Sequence, residues 1–487
     1  MGLPGAIGIF PRYATGSKAA GVMIGMLENL YNHCPVSLQT LLLNVKALEL
    51  HLERYGSKFQ KVYEQFTKNQ WMSVADLRSY QNERLKLLIS HAYRTVPYYN
   101  EQMKRLRLLP ADIRSLEDLP KLPVLNRDQT RANLHRLTST AYPKILLRHG
   151  HTSGTTGSPL DIYYDIRTCV VHHAADWRFK SWAGLHYGQP YASLQGRMIV
   201  PIRQERPPFW RYNYINHQLF LSAFHLQQDN IACYFDEMSR RNIQFIEGYP
   251  STTYILALYL LKMGSRFPLK AVFTSSETLY GYQREAIEEV FACSVYDSYG
   301  MAERVTFATE CPSHCGHHLN SDYGITEFLD TNDEPVSPGQ LGRIVATGLH
   351  NFAMPLIRFE MKDASSLKGH GCECGRSFPL MQDVTTKNES IVTLPDGRLI
   401  SPSVLTHPFK PMHNITESQI IQESLGELTI KIVKRDGYTV EDEKALLSAF
   451  YERLGGQIKI RVDYVPSIPR TENAKFRWVI SKVPPRF

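Results

Sequence analysis

No stretch of this 487-residue sequence is apolar for long enough to cross a membrane. A spanning helix needs roughly 20 apolar residues, whereas the most apolar early stretch, residues 19–27, contains two glycines and ends at Glu28. The first residues also lack the charged start, apolar segment and cleavage site of a secretory signal. We therefore expect a cytoplasmic protein with no integral membrane segment. A peripheral membrane contact through the first 30 residues stays open.

Runs of like charge and a dense set of cysteines are missing as well. The formal net charge is +8, but no run of five or more lysines and arginines occurs. This even spread argues against nucleic acid as a partner. Eight cysteines are too few for a disulfide scaffold in a chain of this length. The length predicts two or more domains, and the hydrophobic share of 43% is typical of a folded globular protein.

The spacing of apolar residues predicts a change of architecture along the chain. Residues 36–108 carry them at three- and four-residue intervals, which predicts helices. From about residue 110, short apolar runs alternate with helices and turns, as in an α/β domain. Strands near 272 and 295 flank a helix over 282–291, and residues 324–360 are mostly strand. The last hundred residues predict a small α+β unit that ends in a polar tail.

The strongest single pattern lies in residues 151–159. Two glycines and four hydroxyl side chains fill the six positions from Thr152 to Gly157. Glycines permit tight turns, and hydroxyls with exposed backbone N–H groups make a nest for phosphate oxygens. No lysine follows Gly157, so the segment is not the loop of the P-loop NTPases. Composition alone leaves a flexible polar loop as the alternative.

The segment resembles the phosphate loop of the adenylate-forming enzymes. Four further segments resemble that superfamily in the expected order, and the likeness extends over roughly residues 70–487. They are Ser298–Glu303, Arg358–Asp363, Thr386–Ile391 and Pro469–Lys475. Within the superfamily, the chain is most similar to the phenylacetate–CoA ligase family and its CapK-type branch, which is associated with polysaccharide biosynthesis gene clusters. Three stretches carry this closer likeness: His91–Tyr99, Glu247–Ser251 and Thr347–Arg358.

The resemblance implies an α/β fold of the adenylate-forming ligase type, with a large multi-layer N-terminal domain and a small mobile α+β C-terminal domain. We expect a helical extension over 1–70, the large ATP- and acid-binding domain over 71–388 and a C-terminal lid domain over 389–487. The implied reaction activates a carboxylic acid with ATP to an acyl-adenylate, releases pyrophosphate and passes the acyl group to CoA. One alternative is an amide-forming ligase that uses an amine acceptor, and another is an inactive nucleotide-binding homologue.

The resemblance also implies roles for individual residues at the nucleotide. The phosphate loop would hold the β- and γ-phosphates, and Glu303 would hold Mg²⁺. Asp363 would bind the ribose hydroxyls. The remaining nucleotide contacts would come from the adenine side. The implied residues are Thr152, Ser153, Gly154, Thr155, Thr156 and Gly157 of the loop, with Ser276, Glu277, Tyr299 and Gly300 near adenine.

Further roles implied by the resemblance concern the moving C-terminal part. Lys475 would swing in to contact the α-phosphate and the attacking carboxylate, and Lys387 and Glu389 would form the hinge. The sequence departs from the family pattern at three of its positions. Ala474 replaces the glycine that commonly precedes the lysine, Ala302 stands where many members have threonine or serine, and Lys387 stands where the superfamily has arginine.

Cysteines and histidines cluster in two short segments that the ligase motifs do not explain. Cys311, Cys315 and His318 lie in the first segment, and Cys372 and Cys374 lie in the second. In a cytosolic chain such clusters favour Zn²⁺ over a disulfide. The resemblance implies a structural zinc site of Cys311, His318, Cys372 and Cys374, with Cys315 as a rival for the histidine position. Reduced thiols near a turn are the alternative.

Overall fold

A computed structural model describes most of the chain. The described residues are 30–151, 160–384, 391–400, 402–409, 411–412, 414–469 and 477–483. Within them lie twelve α-helices and 21 strands. No helix in these ranges is long and apolar enough to pass through a bilayer.

Four helices open the described chain and confirm the prediction of helices across 36–108. They are α1 (Val36–Tyr55), α2 (Phe59–Asn69), α3 (Val74–Thr95) and α4 (Pro97–Arg105). The Ser73 side chain caps α3 by accepting a hydrogen bond from the Asp76 amide. Pro97 disfavours helical backbone at the residue before it, so α3 ends at Thr95 and α4 begins at the proline.

A ten-stranded sheet forms the centre of the large domain. Its strand order is β14-β15-β10-β9-β8-β7-β6-β3-β5-β4, and β5, β3, β6, β7 and β8 run parallel. The strands are β3 (Tyr191–Leu194), β4 (Trp210–Asn213), β5 (Gln218–Leu221), β6 (Phe245–Gly248), β7 (Ala271–Ser275), β8 (Val295–Gly300), β9 (Phe307–Glu310), β10 (His317–Leu319), β14 (Leu367–Gly369) and β15 (Leu380–Met381).

Helices connect the parallel strands β5, β6, β7 and β8 in turn, as βαβ units require. Helix α7 (Ile166–Trp182) precedes β3, and α8 (Gln228–Arg240) lies between β5 and β6. Helix α9 (Pro250–Lys262) lies between β6 and β7, and α10 (Gly281–Phe291) connects β7 to β8. The predicted strand–helix–strand pattern around residues 282–291 is therefore confirmed. In such sheets, ligands bind beyond the carboxyl ends of the strands, which directs attention to the ends of β3, β6, β7 and β8.

Smaller sheets complete the molecule. The strands β1 (Arg148–His151) and β2 (Asp161–Tyr164) pair antiparallel, and a three-stranded sheet has the order β11-β12-β13. Its strands are β11 (Gly324–Leu329), β12 (Gly342–Gly348) and β13 (Phe359–Ser365). The remaining short elements are α5 (Arg127–Ala132), α6 (Leu134–Leu137), α11 (Pro402–Leu405), the 3₁₀ turns Pro110–Asp112, Leu116–Lys121, Lys144–Leu146 and His407–Phe409, and the strand pair β16 (Val392–Thr393) and β17 (Leu399–Ile400).

The C-terminal unit is a four-stranded sheet with one long helix. Strands β18 (Ile415–Gln422), β19 (Glu427–Lys434), β20 (Lys459–Tyr464) and β21 (Val479–Ser481) pack with α12 (Val440–Leu454). The large sheet and this small unit give the chain the α/β architecture that the sequence predicts.

The prediction of a polar tail is wrong for residues 477–483. There β21 runs parallel to β18, and Trp478 is fully buried, with its indole N–H donating to the Ser418 hydroxyl over 3.1 Å. Strand β21 has only three residues, too few to show an alternating pattern in the sequence. Burial of one large aromatic ring instead attaches this end of the chain to the C-terminal sheet.

Candidate functional site

A buried carboxylate follows the carboxyl end of β8. Glu303 is 1% exposed, and its Oε1 accepts a hydrogen bond from Arg127 Nη1 over 3.1 Å. Its Oε2 is buried and has no hydrogen-bond partner among the described residues. Burial raises the pKa of Glu303, and the charge of Arg127 opposes that rise. An orphaned carboxylate oxygen of this kind fits a ligand of Mg²⁺, which prefers oxygen donors.

A tyrosine at the same strand end meets an acid from a different sheet. Tyr299 lies on β8, and its hydroxyl donates to Oδ2 of Asp363 on β13 over 3.0 Å. Burial, together with the negative charge of Asp363, raises the pKa of Tyr299 well above its ordinary value, so the hydroxyl stays a donor. The structure thus brings two residues of separate predicted motifs into contact. A carboxylate held in this way can accept further hydrogen bonds on its remaining lone pairs.

The end of β7 contributes a turn of unusual backbone. Ser276 has a φ of 71°, which is uncommon for a residue other than glycine. The next residue, Glu277, accepts the backbone N–H of Ser251 at the start of α9 over 3.0 Å. On the neighbouring strand, a side chain at Gly300 would approach the ring of Phe307 to 3.1 Å. Ser276, Glu277, Tyr299 and Gly300 therefore share one edge of the sheet.

Several predicted site residues lie outside the described part of the chain. They are the loop residues Thr152, Ser153, Gly154, Thr155, Thr156 and Gly157, the hinge residues Lys387 and Glu389, and Lys475. The strands that flank the loop in sequence are described, and they pair from Arg148 with Tyr164 to His151 with Asp161. The Tyr164 hydroxyl donates to the carbonyl of Ala302. This contact attaches the β1–β2 pair to the segment that holds Glu303.

A cavity of about 600 Å³ opens at the same edge of the sheet. Its volume lies in the ordinary range for small-molecule sites. Residues after β3, β6, β7 and β8 line one side, while α7 and α1 line the other. The strand-end residues include Gln195, Glu247, Ser275, Ser276, Gly300 and Ala302. Nothing in the sequence indicated that α1 reaches this cavity. Helical periodicity predicts that one face of a helix is buried, but it does not tell which elements pack against that face.

Buried charges cross the cavity wall between α7 and the sheet. Lys180 Nζ lies 2.9 Å from Asp176 Oδ2 and 3.0 Å from Glu247 Oε2. Burial acts to lower the pKa of Lys180, but the two carboxylates raise it well above its ordinary value. The adjacent His172 and His173 also line the cavity, and burial lowers the pKa of both well below the ordinary value. The wall is therefore polar, with charged and neutral hydrogen-bonding groups.

The cysteine and histidine clusters meet beside β9 and β10. One ligand atom from each of Cys311, His318, Cys372 and Cys374 lies within 4.8 Å of all the others. Two of the separations are 3.5 Å between the sulfurs of Cys311 and Cys372 and 3.3 Å between the Cys374 sulfur and His318 Nε2. Zinc–sulfur bonds of about 2.3 Å in a tetrahedron place ligand atoms roughly 3.8 Å apart. The set has the size of a four-coordinate site.

The protonation of His318 also suits a metal ligand. Its Nδ1–H donates to the Phe378 carbonyl over 3.1 Å, which leaves Nε2 with its lone pair facing the thiols. Burial lowers the pKa of His318 to about 4, so the ring is neutral. Cys315, the predicted rival, lies outside this set of four, and its thiol contacts the Ser313 carbonyl at 3.2 Å.

Comparison with known proteins finds one matching family model and several similar proteins. Residues 392–482 match a family model described as the CapK C-terminal domain. Protein CapK of Staphylococcus aureus is 25% identical over 467 residues, which cover 94% of this chain and 100% of that protein. The likeness to CapK therefore extends over nearly the whole of both chains. The phenylacetate-coenzyme A ligase of Thermus thermophilus is 23% identical over 448 residues, covering 83% of this chain and 96% of the ligase.

Solved structures of adenylate-forming ligases share the fold. A 2-hydroxyisobutyryl-CoA ligase in complex with 2-HIB-AMP and CoA superimposes with a TM-score of 0.56 at 21% identity, covering 85% of this chain and 91% of that one. The same ligase in a postadenylation state gives a TM-score of 0.52 at 20% identity, with the same coverage. At this level of identity the likeness establishes the adenylate-forming ligase fold, as the sequence motifs predict.

Sequence reasoning missed two parts of the site. Arg127 pairs with Glu303 across 176 positions of sequence, and no motif indicated this partner. Arg54 and Lys46 of α1 line the cavity, whereas the sequence predicted a helical extension over 1–70 without a role for it. Both contacts depend on tertiary packing of distant segments, for which spacing within one segment gives no signal.

Proposed function

We propose that this protein activates a carboxylic acid with ATP and then transfers the acyl group to CoA. In the first step a carboxylate oxygen attacks the α-phosphorus of ATP, the bond to pyrophosphate breaks, and an acyl-adenylate forms. In the second step the CoA thiol sulfur attacks the acyl carbon, its proton is released to solvent, and AMP leaves. The observation that carries the proposal is Glu303, a buried carboxylate with one orphaned oxygen, at the strand edge beside Tyr299 and Asp363.

In this proposal, different described residues bind different parts of the nucleotide. Asp363, oriented by the Tyr299 hydroxyl, accepts hydrogen bonds from the ribose. Ser276, Glu277 and Gly300 lie along the adenine. Glu303, whose other oxygen is paired with Arg127, would hold Mg²⁺. The metal supplies positive charge that offsets the charge of the phosphates, where electrostatic stabilisation is the main need.

Residues outside the described part complete the proposed machinery by family resemblance. Thr152, Ser153, Gly154, Thr155, Thr156 and Gly157 hold the β- and γ-phosphates, and Lys475 contacts the α-phosphate during adenylation. Rotation at Lys387 and Glu389 turns the site from adenylation to transfer. We propose the same boundaries as the sequence predicts, with the extension over 1–70, the large domain over 71–388 and the lid over 389–487. The family-model match at 392–482 supports a separate C-terminal unit.

CoA is the proposed acceptor because relatives along most of the chain are named phenylacetate-coenzyme A ligases. The chain also shares its fold with a ligase solved with CoA. An amine acceptor is the competing outcome. The discriminating experiment measures acid-dependent pyrophosphate release over a panel of acids, each alone, with CoA and with candidate amines. We expect release with an acid alone and a thioester product on adding CoA. An amide formed in preference to a thioester would overturn the choice of CoA, and no release with any acid would overturn the proposed function.

A structural zinc ion is proposed at Cys311, His318, Cys372 and Cys374. Support comes from the mutual closeness of the four ligand atoms and from the neutral His318 ring. Four protein ligands would fill a tetrahedral site and leave no position for substrate, so the role is structural. All eight cysteines are free, which favours a reducing compartment. We accordingly propose a cytoplasmic location.

A further inference from the structure

The cavity extends away from the nucleotide. Its lining includes Gly300 and Ala302 at the strand edge, but among the described residues it includes neither Tyr299 nor Asp363 nor Glu303. From that edge it continues between α7 and α1 to Arg54 and Tyr55. Tyr55 joins α1 to α7 there, because its hydroxyl accepts a hydrogen bond from the Trp177 indole N–H over 3.2 Å. The part of the cavity between the strand edge and Tyr55 is therefore placed to receive the acyl group, and we call it the acyl compartment.

This compartment carries an excess of positive charge. Among the described residues, six cations and three carboxylates line it: Lys46, Arg54, Arg148, Lys180, Arg197 and Arg304 against Glu53, Asp176 and Glu247. All three carboxylates are engaged by two of the cations. Glu53 Oε2 lies 2.6 Å from Arg148 Nε, and both Asp176 and Glu247 contact Lys180. Lys46 pairs with Glu49 at 2.7 Å.

Three arginines are left without an acidic partner. Within the described part of the chain, no carboxylate lies within 4.0 Å of the guanidinium of Arg54, Arg197 or Arg304. Arg304 instead lies 4.5 Å from the ring centroid of Tyr164 and 3.4 Å from the Cys169 sulfur. Burial lowers the pKa of Arg54, and the positive charges of Arg197 and Arg304 lower it further. Arg54 therefore feels the positive charge of both other arginines.

A bound anion would offset the positive charge around Arg54, whereas an apolar acyl chain would bury these guanidinium groups with no acidic partner. Leaving charged groups desolvated and unpaired is costly, while an arginine and a carboxylate or phosphate form short, charge-assisted, often bidentate hydrogen bonds. We propose that the acid activated by this enzyme carries a second anionic group, remote from the reacting carboxylate, which binds Arg54 and Arg304 with Arg197 nearby. This inference rests on the proposed function and specifies its substrate class.

Helix α1 thereby gains a role in substrate selection. Arg54 is a binding residue supplied by the segment that precedes the large domain, and the acids it favours are dicarboxylates or acids with a phosphate or sulfate group. These sources share the same anionic chemistry. A panel that pairs each terminal group with the same carbon chain distinguishes them.

The test compares matched acids by pyrophosphate release. Hexanoate is compared with adipate and with the ω-phosphate and ω-sulfate of 6-hydroxyhexanoate, and phenylacetate with 4-carboxyphenylacetate. Shorter and longer chains are included to match the compartment. We expect kcat/KM for at least one anionic member to exceed that of its uncharged partner by about 10-fold or more, the effect of one charged hydrogen bond. Equal or better turnover of every uncharged partner would overturn the inference and leave the proposed function standing.

Variants at Arg54 separate substrate recognition from folding and from ATP binding. R54A and R54Q should reduce the preference for anionic acids to near unity, R54K should retain part of it, and R54E should favour 6-aminohexanoate over adipate. The matched control is K58A, since Lys58 is exposed and does not line the cavity. A rise in KM for ATP with every acid, and no change in selectivity, would assign Arg54 to the nucleotide and overturn the inference. Absence of pyrophosphate release with every acid would overturn the proposed function and the inference with it.

Discussion

The two ends of the candidate site differ in charge and in how the sequence encodes them. At the nucleotide end, Tyr299 and Glu303 lie four residues apart, and Asp363 belongs to a second short motif. At the acyl end, Arg54 comes from α1, and it is one of three arginines in the cavity lining that have no acidic partner among the described residues. The residues expected to bind the nucleotide thus lie in short contiguous segments of the sequence. Substrate selection depends on helices and strands that meet only in the folded chain.

The largest expected effect concerns the nucleotide end and the first half-reaction. K475A removes one positive charge from a phosphoryl-transfer step. We expect adenylation to fall by roughly 10³-fold or more, since a lost charge in a water-poor site raises the barrier by several kcal/mol. Acyl transfer from synthetic acyl-AMP should be nearly unchanged. The two steps are assayed separately on the same variant.

Equal losses in both steps would contradict alternation of the C-terminal domain. No loss in either step would mean that Lys475 is solvated surface and that the last motif is aligned wrongly. Either result would leave the acyl-end prediction untouched, because Arg54 lies on a different part of the chain.

A slightly smaller effect is expected for E303Q. The substitution keeps the shape of the side chain and removes its charge, so pyrophosphate release should fall by at least about 10²-fold. The loss should be similar for every acid, in contrast to the acid-dependent loss expected at Arg54. E289Q, an exposed position on α10, is the matched control. Normal release by E303Q would remove Glu303 from the metal role.

Loss of the zinc site should lower the stability of the protein and leave the activity of both ends of the candidate site unchanged. Elemental analysis should find one zinc per chain, and C372S should lose it and lower the melting temperature by several degrees. Adenylation by the folded variant should stay close to wild type, because the four ligands lie outside the cavity lining. C293S is a control at a half-buried cysteine outside the cluster. A zinc-free wild-type protein purified without chelators would contradict the assignment.

The smallest expected effect is on the pH dependence of protein stability, and it concerns His350. His350 lies outside the cavity lining, and burial lowers its pKa to about 3. An unfolded histidine titrates near 6.5, so between about pH 6.5 and 3 the unfolded chain binds a proton that the folded chain does not. Stability therefore falls as pH falls through that window. H350Q cannot titrate, and its slope should be smaller by up to about 1.4 kcal/mol per pH unit.

Denaturant unfolding of wild type and H350Q at pH 6.5, 5.5 and 4.5 gives the slopes. Parallel slopes would show that protonation of His350 is not linked to unfolding. Any loss of activity below pH 6 would then have to be caused by the protonation of other groups, including those in the cavity.

Residue patterns predicted those parts of the molecule that repeat locally. The helices before residue 108, the strands around α10 and the meeting of Cys311 with Cys372 all follow from spacing or from residue type. Trp478 and β21 were missed because a three-residue strand has no period, and Arg127 was missed because its partner is 176 residues away. The polar cavity depends on α1 and α7 packing against strand ends. That arrangement follows from the sum of many tertiary contacts and not from any one segment.

Mass spectrometry of a single-turnover reaction can show whether the protein forms an acyl-adenylate. Enzyme, Mg·ATP and an accepted acid are mixed without CoA, quenched and analysed, and CoA is then added to a parallel sample. We expect an acyl-AMP species with stoichiometric pyrophosphate, and we expect it to disappear on addition of CoA as a thioester and AMP appear. Release of ADP and phosphate with no acyl-AMP would contradict this expectation.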